Sequence, residues 1–360
     1  MKVCIIGNNL VSLTLAKALL NKGLSVDIYY KKSNKIYDQT RTIGISKSNV
    51  EYFNNHVINI DKISWDIKKI QIYTENFNRN EILNFSNSNK KIFSILKNYQ
   101  LHEILNKSLK NEKNFNYKNN LSYTNLLKKK YKIIINCDSL NEITKKLFSN
   151  KIKKNYNSFA YTTIINHEKI LKNDTAIQIF TKQGPMAFLT LSNNKTSIVY
   201  SHKVKNDKEK VDVINLIKKF NPKYKITGNG SLSKFKLISS NLRKYHQDNI
   251  MAFGDILHKL HPLAGQGFNM SIRDIRKLLE LIENRINLGL DLDKSICIEF
   301  QKEVKVKNYI FSSGIDLIYE FFNFESKVKS EFLNRSINLV GKNKSLNNLF
   351  KKFADIGLQV

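Results

Sequence analysis

Asn249 to Arg276, NIMAFGDILHKLHPLAGQGFNMSIRDIR, holds the residues whose types and spacing point most directly to chemistry. An apolar strand ends in Gly254-Asp255, a short loop follows, and Pro262 and the run Gly265-Gln266-Gly267 lead into a helix. A carboxylate at the end of a strand can take ribose hydroxyls, and bare amides at a helix start can face a phosphate or an electron-rich ring. The combination suits a nucleotide cofactor. Little else in the chain competes with it. The three cysteines, Cys4, Cys137 and Cys297, have no CxxC spacing, and the seven histidines form no HExxH arrangement. No metal site or disulfide framework is expected, and no nucleophile–base pair or carboxylate dyad stands out.

Composition sharpens this reading. The chain is rich in Lys, Asn and Ile, with only 3 Pro and 13 Gly in 360 residues. This pattern implies a genome biased against Gly and Pro codons, so a retained Gly or Pro has a backbone reason. Gly254, Pro262, Gly265 and Gly267 all fall in the one stretch. The formal net charge is +30. Its Lys residues are scattered rather than clustered on a nucleic-acid motif, so nucleic acid is not an expected partner. Codon bias on a solvated surface and attraction to an anionic membrane surface both account for the charge. At 41% hydrophobic residues the composition is that of a soluble globular protein, and no apolar run approaches the roughly 20 residues of a membrane span. MKVCIIGNNL reads as a strand and turn rather than a signal peptide, so a cytoplasmic protein is expected.

The elements that must position the motif begin at the amino terminus. Lys2 to Ile6 reads as a buried strand, Val11 to Leu20 as a helix closed by Gly23, and Leu24 to Tyr29 as a second strand. Such a βαβ unit favours a parallel sheet with its ligand at the carboxyl edge. The glycine fingerprint between strand and helix is degraded to Gly7-Asn8-Asn9-Leu10-Val11-Ser12. Asn9 holds the second glycine position as a residue tolerant of left-handed backbone, Ser12 the third as a small one, and Tyr30 replaces the acid expected after the second strand. Short strands are read at Ile70–Tyr73 and Ile82–Phe85, a helix at Asn98–Leu109, and a buried strand at Lys132–Cys137. From Tyr156 to Ser201 the texture turns to β, with a hairpin signal at Asn193-Asn194-Lys195. Phe268, Ile272, Ile275, Leu279, Ile282 and Ile286 give the helix after Gly267 one apolar face. Residues 297–324 and 329–356 carry further helical patterns. Ile315–Phe324, IDLIYEFFNF, reads either as a buried face or as a membrane- or partner-facing patch.

These pieces resemble the flavin-dependent aromatic hydroxylases of ubiquinone biosynthesis, in the para-hydroxybenzoate hydroxylase superfamily. GDILHKLHPLAGQGFNMSIRD (Gly254–Asp274) is similar to that family's GDAAHxxHPxxGQGxNxGxRD signature. QGPMAFLTLSNNKTSIVY (Gln183–Tyr200) is similar to its GPxAxLPL segment and the strand after it, and RTIGIS (Arg41–Ser46) to its Arg-containing segment after the second strand. Its A-D-G motif corresponds to Cys137-Asp138-Ser139, without the glycine.

The resemblance implies an α/β fold: a Rossmann-like FAD-binding domain (residues 1–70, 93–155 and 241–290) interleaved with a β-sheet substrate domain (71–92 and 156–240), and a C-terminal helical region (291–360). It implies FAD, with NAD(P)H or another electron donor as reductant and O2 as co-substrate. Oxygen adds at the flavin C4a, and the hydroperoxide hydroxylates the ring of a polyprenylated phenol or benzoquinol intermediate. Residue by residue, it gives Gly7 and Asn9 to the pyrophosphate, and Asp138 to the pyrophosphate and reductant site. Arg41 goes to a phosphate or the flavin edge, and Gly254 and Asp255 to the ribityl or ribose region. Pro262 falls beside the isoalloxazine face, Gly265, Gln266 and Gly267 at the flavin pyrimidine, and Asn269 at the ring edge. His258 and His261 are read as structural in preference to general bases. A lipid-soluble substrate implies peripheral association with the inner face of the membrane and possible membership of a ubiquinone-biosynthesis complex. Two other readings stay open: a catalytically reduced component that binds flavin or prenylquinone precursors, and another flavoenzyme of the same fold.

Overall fold

The computed structural model describes residues 1–31, 38–75, 81–86, 91–118, 126, 131–262, 265–328 and 355. The chain opens with β1 (Lys2–Ile6), α1 (Leu10–Asn21), β2 (Ser25–Tyr29), β3 (Thr42–Ser46) and α2 (Lys47–His56). β4 (Ser64–Ile67), β5 (Lys69–Thr74), β6 (Glu81–Ser86), β7 (Phe93–Lys97), α3 (Asn98–Lys110) and β8 (Phe115–Lys118) follow. Next come β9 (Ile134–Asn136), α4 (Glu142–Leu147), β10 (Lys151–His167), β11 (Thr175–Thr181), β12 (Gly184–Ser192) and β13 (Lys195–Lys203). α5 (Val213–Phe220), β14 (Ile226–Asn229), β15 (Ser233–Leu242), β16 (His246–Gln247), β17 (Ile250–Ala252), β18 (His258–Lys259), α6 (Gln266–Asn287) and α7 (Lys294–Val328) complete it.

Two large sheets organise these elements. The first runs β16-β17-β9-β1-β2-β8, parallel except for the edge strand β16. Its central strands β1, β9 and β17 are short, mainly apolar and almost wholly buried, as a sheet covered on both faces requires. Val3, Ile5, Val26, Ile28 and Ile135 share one buried cluster with Leu13 and Leu19 of α1, Leu101 and Leu105 of α3 and Ile275 and Leu279 of α6. The second sheet runs β18-β15-β10-β13-β12-β11-β5-β6, antiparallel apart from the β11–β5 pair. The seventeen-residue β10 is its spine. A three-stranded sheet, β3-β7-β4, takes its strands from the segment between β2 and β8, which also contributes β5 and β6 to the second sheet.

The strands and helices read from the sequence are present with small shifts at their ends. The hairpin signal joins β12 to β13, with Thr190 opposite Thr196. The stretch 297–324 lies within α7, whereas the pattern at 329–356 falls outside the described residues apart from Asp355. Ile315–Phe324 divides along one helix between a buried and an exposed side. Ile315, Tyr319 and Phe322 are buried, and Leu317, Phe321 and Phe324 are exposed.

α7 is joined to the second sheet by aromatic and polar contacts. Phe322 stacks on Phe180 of β11 with ring centroids 3.8 Å apart. Tyr156 of β10 donates to Asp316 of α7, whose other oxygen accepts from Ser239 at 3.5 Å. His261 sits between Tyr156 and Tyr319, at 4.8 and 4.4 Å. Burial there pushes the His261 imidazole down to about 3, and the Lys154 charge adds to the effect. An unfolded imidazole titrates near ~6.5, so the unfolded chain binds a proton that the folded one refuses. Stability from this site is therefore full above that pH and falls as pH drops toward 3. Urea unfolding at pH ~7 and ~4.5 should show the wild type losing about 1 kcal/mol per pH unit more than His261→Phe. Equal losses would mean that the folded imidazole is protonated.

Candidate functional site

Three strand ends meet at the carboxyl edge of the parallel sheet. Ile6 pairs with Asn136 and Asn136 with Ala252, so β1, β9 and β17 end in register. Gly7 follows β1 directly, and Asp138 and Gly254-Asp255 follow β9 and β17 after one intervening residue. Gly7 has φ +114°, and a β-carbon there would meet the Asp138 amide nitrogen at 3.2 Å. Any side chain at this position would force apart the ends of β1 and β9. Val11, in the first turn of α1, packs over Gly254 at 3.0 Å from where a β-carbon would stand. The helix start is thereby drawn onto the strand end that carries Asp255.

Asn9 is the amino cap of α1. Its Oδ1 accepts from the Ser12 amide at 3.0 Å, and Ser12 Oγ accepts from the Asn9 amide at 2.8 Å. Its backbone is extended (φ −103°), so left-handed tolerance is not what the position uses. The degraded fingerprint is a capping box, braced by Asn9 Nδ2 donating to the Cys137 carbonyl at 2.7 Å. Asp138 closes its own turn by accepting from the Leu140 amide at 2.9 Å. Asp255 is exposed, and no hydrogen bond or ion pair engages its carboxylate among the described residues. Burial pushes the Cys137 thiol up, and the charges of Asp138 and Asp255 add to it. Both carboxylates therefore act at this edge.

From Asp255 the chain leaves the parallel sheet and enters the second one at β18, which pairs with β15. The motif thus spans the junction of the two sheets. His258 Nε2 bonds Asp274 Oδ2 at 2.6 Å, and Asn308 Nδ2 donates to Asp274 Oδ1 at 2.9 Å. All three side chains are buried, and together they tie the loop to α6 and α7. After Pro262, whose carbonyl accepts from the Gly265 amide at 3.2 Å, Gly265 turns into α6 with φ +65°. A β-carbon there would meet the Gly44 amide nitrogen of β3 at 3.3 Å, whereas one on Gly267 would meet nothing within 4 Å.

Asn269, 1% exposed, fixes this turn. Its Nδ2 donates to the carbonyls of Gly44 (2.8 Å) and Gly265 (3.2 Å). Its Oδ1 accepts from the Ser46 amide (2.9 Å) and Asn49 Nδ2 (3.0 Å). With the amide fully engaged, its part in a cofactor site is to position Gly265 and β3 rather than to touch a ring. Arg41 is exposed, stacked on Phe235 of the second sheet at 5.0 Å, and lies on the β3 side of the junction rather than beside Gly7. His258 and His261 are both buried among protein groups.

The residues that sequence reasoning missed are the supports. Asn49 and Ser46 lie some 220 positions from Asn269, and no local pattern announces that pairing. Asp274 stood inside the signature as its last residue, and its use as an anchor for His258 could have been suspected.

The site fits a flavin dinucleotide on its own terms. A β-carbon on Gly267 would meet no protein atom within 4 Å, which leaves the start of α6 open to a ligand, and Asn8 Oδ1 and Gln266 Oε1 are buried without a hydrogen-bond partner among the described residues. The amino terminus of the 22-residue α6 favours negative charge beside it. Gly267→Ala should therefore leave the melting temperature within about 2 °C of wild type while weakening flavin binding. Gly265→Ala should lose about 1–2 kcal/mol of stability, as an L-residue in left-handed backbone does. Thermal melts paired with flavin fluorescence titration check both, and a Gly267→Ala protein that binds flavin normally would remove the ring from that face.

Comparison with known proteins agrees with this geometry. The family described as FAD binding domain matches residues 147–287. The 3-demethoxyubiquinol 3-hydroxylase of Escherichia coli (strain K12) is 28% identical over 157 residues, covering 42% of this chain and 40% of the relative. The mitochondrial ubiquinone biosynthesis monooxygenase COQ6 of Xenopus tropicalis is 25% identical over 234 residues, covering 53% and 50%. The chain spans about half the length of the curated relatives it matches. The crystal structure of p-nitrophenol 4-monooxygenase PnpA from Pseudomonas putida DLL-E4 superposes with a TM-score of 0.80 at 13% identity, covering 99% of this chain and 98% of that one. Klebsiella pneumoniae HpxO, complexed with FAD and uric acid, gives 0.76 at 11% identity, covering 99% and 97%. The likeness to these structures is one of fold. Sequence relatives, fold and the junction motif agree: residues 147–287 match an FAD binding domain, and the chain is similar to the ubiquinone-biosynthesis monooxygenases.

Proposed function

We propose that this protein is an FAD-dependent monooxygenase that hydroxylates the aromatic ring of a polyprenylated phenol or benzoquinol intermediate in ubiquinone biosynthesis. The observation that carries the reading is the junction itself. Gly7, Asp138 and Gly254-Asp255 meet at one sheet edge, and the same segment continues into Pro262 and the Gly265–Gly267 helix start. Bound FAD supplies the redox chemistry, taking electrons from NAD(P)H or another donor and activating O2. The chain's own residues bind and orient it. The exposed Asp255 carboxylate offers acceptors to ribityl or ribose hydroxyls, and the amides after Gly265, backed by the α6 dipole, favour negative charge on the ring. Pro262 shapes the loop beside it. The buried His258–Asp274–Asn308 network holds that loop in place.

A second reading, a catalytically reduced flavin- or prenylquinone-binding component of the biosynthetic complex, is favoured by one feature. Asn9 takes the Ser12 amide for its own cap, which removes a donor from the phosphate-facing turn. One experiment separates the readings. Purified protein should show flavin absorption with stoichiometric FAD, and with reductant and O2 should insert one oxygen atom into a polyprenylated phenol. Bound flavin without turnover favours the second reading, and no flavin on a verified fold sinks both flavin-based ones.

Peripheral membrane association is part of the same proposal. α7 exposes Val306 (63%), Ile310, Leu317 (72%), Phe321 and Phe324 along one side while its other side is buried. The chain carries +30 net charge, which suits anionic lipid. No helix among the described residues is long and apolar enough to cross a membrane. Leu317→Glu with Phe324→Glu should reduce sedimentation with phosphatidylserine vesicles several-fold without lowering the melting temperature. Unchanged sedimentation would move the contact to another face.

A further inference from the structure

We infer that the adenosine half of the cofactor is held here by stacking on an aromatic pair, Tyr30 and Tyr117, and not by a carboxylate that reads the ribose hydroxyls. The inference rests on the flavin-dinucleotide reading above.

In a dinucleotide-binding βαβ unit the ribose carboxylate stands at the end of the second strand. Register identifies that place in this chain. Ile6 pairs with Tyr29, and the Gly7 amide donates to the Tyr29 carbonyl at 2.8 Å. The next residue, Tyr30, is therefore Gly7's neighbour at the carboxyl edge. Its ring meets Tyr117 of β8 edge-on, with centroids 5.2 Å apart at 68°. Tyr117 is held in turn by its hydroxyl donating to Asn106 Oδ1 of α3 at 2.6 Å and by an edge contact with Phe115 at 4.8 Å. Both tyrosines are half-buried, packing on the same core as Leu10 of α1. The edge thus presents a braced aromatic surface beside the phosphate-facing turn.

The carboxylates that could replace the missing one are elsewhere. Asp27, the only acid of β2, is buried and held by Tyr131 at 2.6 Å, Lys2 at 3.0 Å and Asn116 at 3.3 Å. It lies three residues before Tyr30 on an alternating strand, so it faces the opposite side. By sequence, neither 31–37 nor 119–130, the stretches that follow β2 and β8, contains Asp or Glu. Asp38, the next acid, is bonded to Thr40, which in turn bonds Thr162 of the second sheet. Among the described residues, Glu103, exposed on α3 beside His102, and the exposed Asp255 after β17 are the remaining rivals.

Stacking on an aromatic ring tolerates any base and ignores the sugar hydroxyl, whereas a site built to hydrogen-bond a hydroxyl rejects the analogue that lacks it. The two modes therefore differ in a binding ratio that needs no catalysis. Flavin fluorescence titrations of the full chain with FAD and with its 2′-deoxyadenosine analogue should give dissociation constants within about three-fold of each other. Tyr30→Phe should match wild type, and Tyr30→Leu or Tyr117→Leu should weaken FAD about ten-fold, with circular dichroism confirming the fold. Tyr30→Glu should restore discrimination against the deoxy analogue. Wild-type discrimination above about ten-fold would overturn the inference, and its loss in Glu103→Gln or in Asp255→Asn would name the true reader. Failure of the folded wild type to bind FAD at all would instead overturn the flavin reading on which this one rests.

Discussion

A buried amide with four hydrogen bonds sets the geometry on which the site depends. Asn269 lies in the first turn of α6, yet its partners are in β3, α2 and the turn before it. Inside a protein each of those groups, left unpaired, would lose its hydration without return. The amide therefore holds the Gly265 turn against Gly44 at a separation only glycine allows. Remove that constraint and the start of α6 is free to move relative to β3, taking with it the amides of its first turn.

The second constraint is the common register of β1, β9 and β17. Parallel strands that end together place their following loops side by side. Three short peptides from positions near 7, 138 and 254 become one surface. The chain then crosses to the second sheet at β18, so the loops at the carboxyl edge of the first sheet and the second sheet are joined by one continuous segment. His258, Asp274 and Asn308 brace that crossing with a buried polar network, and the aromatic contacts of His261, Tyr156 and Tyr319 carry α7 against it. The buried face of α7 is consumed in this work, and its opposite face remains apolar in water.

Erosion of the glycine fingerprint has a coherent physical form. Where a second glycine would let the backbone approach a ligand, Asn9 uses its side chain to cap α1 and to clamp the Cys137 carbonyl. A Gly-poor chain thereby keeps the strand–helix turn rigid at the expense of one amide. At the end of β2 an aromatic residue replaces a charged one, and the neighbouring strand supplies a second ring. Both changes keep the shape of the edge while altering how it can hold a dinucleotide.

Much of this was legible in the residues alone. Apolar periodicity marked β1, α1, β2 and α6, because helices and strands bury one face at a fixed spacing whatever the rest of the fold does. In a chain with 13 glycines, the retention of Gly254, Gly265 and Gly267 pointed to backbone needs, and the first two have the positive φ values that justify it. Other features had no local signal. Nothing near Asn269 names Ser46 or Asn49 as partners, so the same side chain reads equally well as a ligand contact. The extended backbone of Asn9 followed from its cap and its long-range bond to Cys137, not from its own propensity. The two faces of α7 could be separated only once the second sheet had covered one of them. Composition and spacing act over a few residues and so determined the elements and the motif. Which polar groups were left to meet a ligand was decided by contacts hundreds of residues apart, which exist only in the folded chain.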